Sequence, residues 1–141
     1  MSRHEKKIIL KNQLSELDHV RQSLEELSGT VGAHPKLMHA IDLSLDEVLT
    51  NIISYGYDDK VDHEIEVRVS LDTQSCIIEI EDDARHFNPV DLPEADTTSS
   101  LEERKVGGLG VHFVRTLMDE VEYKLQNNRN LLILKKRITE D

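Results

Sequence analysis

Apolar residues recur along this chain with two different periods, and the changes of period mark its elements. Ile8, Ile9 and Leu10 form a short apolar run that reads as an edge strand. Asn12 stands where an N-cap would, and Leu17, Val20, Leu24 and Leu27 follow at helical spacing until Gly29, which is expected to stop the helix. Pro35 suits a first helical turn, and Ile41, Leu45, Val48 and Ile52 make a second apolar stripe that ends near Tyr55-Gly56. Period two takes over at Ile65, Val67, Val69 and Leu71, which alternate with Glu64, Glu66, Arg68 and Ser70, so one face is buried and the other wet. After a turn at Asp72-Thr73-Gln74, residues Cys76, Ile78 and Ile80 share one face of a further strand, opposite Glu79 and Glu81. The same parity sends Asp82 to the apolar side, a costly place for a carboxylate unless something bonds it.

From about Asn88 to Val106 the pattern lapses into a stretch holding Pro89, Pro93 and Thr97-Thr98-Ser99-Ser100. A loop of that length in a compact domain is a lid, a binding loop or an insert. Periodicity returns as a helix carrying Phe113, Val114, Leu117 and Met118, then a strand with Val121, Tyr123 and Leu125. An Asn127-Asn128 turn leads into a last strand through Leu131–Leu134. The order is β-α-α-β-β-α-β-β with mostly hairpin connections. It predicts an α+β fold of two layers: a mixed, mostly antiparallel sheet with helices on one face.

Composition narrows the classes. A chain of 141 residues has the size of one domain and can bury a core without disulfides. The formal charge of −11, from 28 acidic against 17 basic residues, argues against a nucleic-acid groove, which needs clustered Lys and Arg. The densest basic run, Lys135-Lys136-Arg137, reads as a solvated strand terminus. The lone Cys76 reads as a small core residue, and one cysteine suits a reducing compartment. No apolar run approaches the ~20 residues of a membrane span, and the polar, basic start is unlike a signal peptide. The expectation is a soluble cytoplasmic domain without membrane contact.

Three features carry chemistry. Gly107-Gly108-Leu109-Gly110 opens a helical segment, where backbone N–H groups can approach a phosphate and the helix dipole favours it; alone, such a run is a weak signal. On the second helix Ser44, Glu47, Asn51 and Ser54 form a polar stripe, with Glu47 and Asn51 one turn apart. That spacing lets a carboxylate activate a hydroxyl or water while an amide oxygen ligates Mg²⁺, although an isolated E-x-x-x-N is more often a solvated helix face. Asp82, inward at a strand end, is suited to accept a hydrogen bond from a ligand's exocyclic amine. The alternative is a turn-capping carboxylate, a role that parity gives more readily to the outward Asp83. The seven histidines show no metal-ligand spacing.

Taken in order, Glu47-x-x-x-Asn51, Asp82-x-Ala84-x-x-Phe87-Asn88-Pro89 and Gly107-Gly108-Leu109-Gly110 with Arg115 resemble the ATP-binding boxes of the GHKL superfamily. Within it the chain resembles the short anti-sigma-factor serine/threonine kinases of bacterial partner-switching systems, over nearly its whole length. The resemblance implies a single Bergerat-type domain over residues 1–141, holding Mg·ATP between helices and sheet. Asn51 would ligate Mg²⁺, Glu47 would be the general base and Asp82 would read the adenine amino group. Gly108 and Gly110 would cradle phosphates beneath a lid at about residues 89–106, with Ala84, Phe87, Val106, Gly107 and Leu109 completing the nucleotide-binding set. Arg104 or Lys105 could reach the γ-phosphate, and Arg115 fits a structural ion pair.

The implied activity is phosphoryl transfer to a serine or threonine of an anti-anti-sigma, STAS-type partner, together with sequestration of a sigma factor. The N-terminal helix, with Arg21 and Glu25-Glu26 on its polar side, would meet regulators and form a homodimer. A catalytically weak, nucleotide-dependent partner-binding module is the alternative. Two departures bear on the choice. The D-x-G box has Ala84 in its third position, which costs about 1 kcal/mol if that backbone needs positive φ and otherwise places a methyl near the base. The last strand of relatives often carries a threonine near the adenine, whereas Leu131–Leu134 offers no hydroxyl.

Overall fold

The computed structural model describes residues 3–86 and 114–139. Its elements are β1 (His4–Lys11), α1 (Leu17–Val31), α2 (Pro35–Tyr55), β2 (Glu64–Leu71), β3 (Ser75–Asp82), β4 (Glu120–Gln126) and β5 (Arg129–Arg137). A short 3-10 turn, Leu14–Glu16, leads into α1, and a helical turn at residues 114–117 precedes β4. The five strands form one sheet in the order β1-β2-β3-β5-β4, and every pairing among them is antiparallel. The fold is α+β, as the periodicity predicts, and β1 lies at an edge. Both terminal strands outrun their apolar cores. Pairing from His4↔Leu71 to Lys11↔Glu64 holds the polar ends of β1, and β5 runs on to Arg137 opposite Ser75.

Side-chain parity sorts the two faces. Ile8, Leu10, Ile65, Val67, Val69, Leu71, Cys76, Ile78, Ile80 and Leu134 point to one side, where Val20 and Leu24 of α1 and Leu37, Ile41, Leu45 and Leu49 of α2 complete a single core. Burial of each such side chain stabilises by roughly 1.5–3 kcal/mol, so this layer contact dominates the fold. The opposite face is charged. Arg68 on β2 pairs with Glu66 of its own strand and with Glu79 and Glu81 of β3, while Arg129 of β5 reaches Glu81 at 2.8 Å. These partly exposed pairs set cross-strand preference more than they add stability.

Several local expectations change. Gly29 does not stop α1; the helix continues to Val31 and closes at Gly32, whose φ of +72° makes the left-handed cap, with its N–H donating to Ser28 O. The apolar Val31 packs against the core, and keeping it there needs the two further helical residues. Asn12 caps no helix: its Oδ1 accepts from His63 N–H at 2.9 Å and its own N–H donates to His63 O, tying the end of β1 to the approach to β2. Lys136 is not merely solvated, since its Nζ donates to Leu117 O at 2.7 Å and satisfies the end of the helical turn before β4. The two hairpin turns behave as read. Asp72 Oδ1 accepts from the N–H groups of Gln74 and Ser75, and Asn127 and Asn128 both take positive φ, the geometry that matches strand twist.

α2 ends where the sequence places it, but for a steric reason. Gly56, its C-cap, has an ordinary φ of −81°; what it lacks is room. A Cβ there would lie 2.5 Å from Ile52 O and 2.7 Å from Ala84 Cβ. Its carbonyl accepts from Arg85 N–H at 3.0 Å, so the helix end clamps the turn that follows β3. Gly56→Ala is therefore expected to lower unfolding free energy by about 2 kcal/mol in urea titration. Adding Ala84→Gly should recover only part of that loss, because the clash with the Ile52 carbonyl persists.

Candidate functional site

Asp82 is the last residue of β3 and points into the molecule, with 3% of its surface exposed. Its cross-strand partner is Asn130 of β5. Asp82 Oδ1 accepts two hydrogen bonds at 2.9 Å, from Ala84 N–H and from Asn130 Nδ2. The same Nδ2 lies 3.1 Å from both Ala84 O and Arg85 O, and Tyr123 on β4 donates its hydroxyl to Asn130 Oδ1. Burial pushes the Asp82 carboxyl above the usual carboxylate range, and the Asn130 and Ala84 donors pull it part of the way back. No described residue hydrogen-bonds Oδ2.

The turn-capping role thus belongs to Asp82 and not to Asp83. Ala84 needs no left-handed backbone, because among the described residues other than glycine only Asn127 and Asn128 have positive φ. Its methyl is buried, 2.7 Å from where a Cβ on Gly56 would stand, so the alanine in the D-x-G position is accommodated by a glycine across the packing contact. Asn130 is the residue that sequence reasoning missed. A search of Leu131–Leu134 for a hydroxyl stops one residue short of it, and only the strand register reveals the pairing.

The stripe on α2 is graded from core to solvent. Ser44 is fully buried and its Oγ has no partner; Glu47 and Asn51 are half-buried; Ser54 is exposed. The side chain of neither Glu47 nor Asn51 is hydrogen-bonded or ion-paired to any described residue. With a rise of 1.5 Å per residue, about 6 Å of helix separates Glu47 from Asn51 and about 13 Å separates Glu47 from Gly56. The helix therefore carries, one turn apart on one face, two oxygen-bearing side chains without a described partner and, at its end, the clamp that holds the Asp82 turn. Oxygen-only donors of this kind suit a hard cation. Arg21, on the polar side of α1, pairs with Asp18 and reaches Asp46 of α2 at 2.7 Å.

Beside the clamp is an open cleft of about 370 Å³, bordered by Gly56, Tyr57, Asp59, His63, Asp83 and Arg85. His63 is held between two carboxylates: Nδ1 is 3.0 Å from Asp83 Oδ2, and Nε2 is 2.9 Å from Asp59 Oδ1. Its ring stacks on Tyr57 with centroids 4.4 Å apart, and the Tyr57 hydroxyl donates to Asp83 Oδ1 at 3.0 Å. The hydrogen bonds to Asp83 and Asp59 raise the His63 pKa. Burial acts to raise that of Asp83, but the donors His63 and Tyr57 outweigh it and leave the carboxyl below its ordinary value. A histidine whose folded pKa is raised contributes stability below its unfolded pKa of about 6.5 and loses it as pH rises through the folded value. The melting temperature should accordingly fall as pH is raised from 6 to 8, and His63→Gln should flatten that dependence. Equal slopes for the two proteins would rule the cluster out as the source.

The remaining residues expected at the site, Phe87, Val106, Gly107, Gly108, Leu109 and Gly110, lie outside the described residues, as do the lid at about 89–106, Arg104 and Lys105. No described helix is long and apolar enough to cross a membrane.

Comparison with known proteins matches residues 10–136 to the histidine kinase-like ATPase domain. Among curated proteins, the chain is 26% identical over 118 residues to the serine-protein kinase RsbW of Bacillus velezensis, covering 81% of this chain and 72% of that protein. It is 24% identical to the RsbW of Bacillus subtilis over the same shares. Among solved structures, the RsbU and RsbW domains of Rv1364c from Mycobacterium tuberculosis superpose with a TM-score of 0.62 at 16% identity. That match covers 95% of this chain and 32% of the larger one, so this chain spans about a third of it. With α2, the Asp82 turn and the antiparallel sheet in the arrangement described, and a family match over most of its length, this chain belongs to the histidine kinase-like ATPase domain family.

Proposed function

We propose that this chain binds Mg·ATP and transfers the γ-phosphoryl group to a serine or threonine of an anti-anti-sigma, STAS-type protein, so controlling its own hold on a sigma factor. The observation that carries the reading is the Asp82 carboxylate, buried at the end of β3 beside the C-terminus of α2, with Oδ1 accepting two hydrogen bonds and Oδ2 none from any described residue, together with Glu47 and Asn51 of α2, whose side chains have no described partner. The curated relatives named serine-protein kinase support a serine acceptor.

The residues present fit the group. Asp82 Oδ2 accepts from no described residue, as an exocyclic amine requires, and the ~13 Å of helix between the Gly56 clamp and Glu47 suits an extended nucleotide. Asn51 would supply an amide oxygen to the metal, which keeps its other positions for water and phosphate. When bound, Mg·ATP supplies the transferable phosphoryl group and neutralises the charge that develops on it. Glu47, half-buried with no described ion pair to compete for it, would accept the hydroxyl proton of the incoming serine or threonine. Gly108 and Gly110 are assigned to the phosphates and residues 89–106 to the lid by their match to the family boxes, within a single domain of residues 1–141.

Calorimetric titration with ATP, in the presence and absence of Mg²⁺, tests the first half. Wild type should bind in a metal-dependent way, and Asn51→Ala should lose the metal-dependent part. The second half is read from phosphate transfer to a purified STAS-type partner. Glu47→Ala should keep ATP affinity within about twofold while transfer falls about a hundredfold or more. Parallel loss of binding and transfer would remove Glu47 as the base. Binding by wild type without any transfer would leave the partner-binding module as the better description.

A further inference from the structure

The amide of Asn130 does more than fill a polar gap. Its nitrogen faces three acceptors, Asp82 Oδ1, Ala84 O and Arg85 O, all within 3.1 Å. Its oxygen receives the Tyr123 hydroxyl. Reversing the amide would set an oxygen against a carboxylate and two carbonyls and point the amino group at a hydroxyl that now donates, so the orientation has one solution. The consequence falls on Asp82. Two N–H donors converge on Oδ1, which keeps that oxygen an acceptor and fixes the plane of the carboxylate. Oδ2 is then presented as a single acceptor in a set direction, with neither of those donors available to it.

We propose that Asn130, steered by Tyr123, sets base selectivity in this chain, so that the site takes a purine nucleotide with an exocyclic 6-amino group and rejects one with a 6-oxo group. This rests on the nucleotide-binding reading above and adds to it a positioning pair on β4 and β5 that the sequence boxes do not include. A 6-amino group donates to Oδ2. A 6-oxo group sets acceptor against acceptor and strands both without a partner, which is the arrangement that buried polar sites discriminate against most strongly. Asn130 acts through Asp82 and through the 84–85 turn that it holds down; neither it nor Tyr123 needs to touch the base.

The test compares the affinities of ATP and ITP, whose bases differ at the 6-position, with Mg²⁺ present, for wild type, Asn130→Leu, Tyr123→Phe and Asn130→Gln. Wild type should prefer ATP by about tenfold or more, the worth of one charge-assisted hydrogen bond. Asn130→Leu keeps the branched shape and loses every donor, and its ATP:ITP ratio should fall toward one. Tyr123→Phe keeps the ring and releases the amide, so its ratio should fall by about threefold while its far-ultraviolet circular dichroism and melting temperature stay close to wild type. Asn130→Gln, which keeps the amide, should recover more of the ratio than leucine does. Folded Asn130→Leu and Tyr123→Phe proteins that weaken ATP and ITP equally, or that leave the ratio at the wild-type value, would overturn the proposal while leaving nucleotide binding intact. If Asn130→Leu does not fold, Tyr123→Phe alone decides by the same ratio. Wild type that binds neither nucleotide would overturn the nucleotide reading itself, and this proposal with it.

Discussion

A carboxylate buried at the end of a central strand cannot stand unbonded, and much of the site follows from how this chain satisfies Asp82. Leaving such a group without donors costs several kcal/mol, so the backbone after β3 folds back to offer Ala84 N–H and the neighbouring strand offers an amide. The turn this produces lays the Ala84 methyl against the end of α2, where only a glycine fits, and locks there through the bond from Arg85 to Gly56. One electrostatic requirement thus dictates a turn, a helix terminus and the approach of helix to sheet.

That chain of dependence explains what was legible beforehand and what was not. α2 could be bounded from Pro35, whose fixed φ suits a first helical turn, and from Gly56, although the glycine is required there by lack of room beside Ile52 and Ala84 and not by its own backbone angle. The inward placement of Asp82 followed from parity alone, since a strand offers its side chains only two directions. Gly29 misled because glycine permits a left-handed cap without demanding one, and the demand came from Val31, two residues on, packing on the core. Asn12, Lys136, His63 and Asn130 were opaque for a common reason. Each is defined by a partner more than 15 positions away, and no local period encodes such a pairing.

Ala84 is where this chain departs from the family's glycine box. By the family pattern alone, an alanine in the D-x-G box looks like damage to a nucleotide pocket. In the structure its backbone is unstrained and its methyl occupies space that a glycine on the facing helix leaves open. The departure is a packing exchange between the turn after β3 and the end of α2, and it leaves Asp82 Oδ2 without a partner among the described residues.

The sheet order also limits how other proteins can approach. Strands β1 and β4 are its outermost members, and both carry exposed charge: Lys6, Lys7 and Lys11 on the first, Glu120, Glu122 and Lys124 on the second. Charged rims of this kind discourage a foreign strand from adding to the hydrogen-bonded ladder, which guards against fibril growth and edge-to-edge self-association. At these rims the backbone ladder is screened by charge, so that what they present to an approaching protein is side chains before shared backbone.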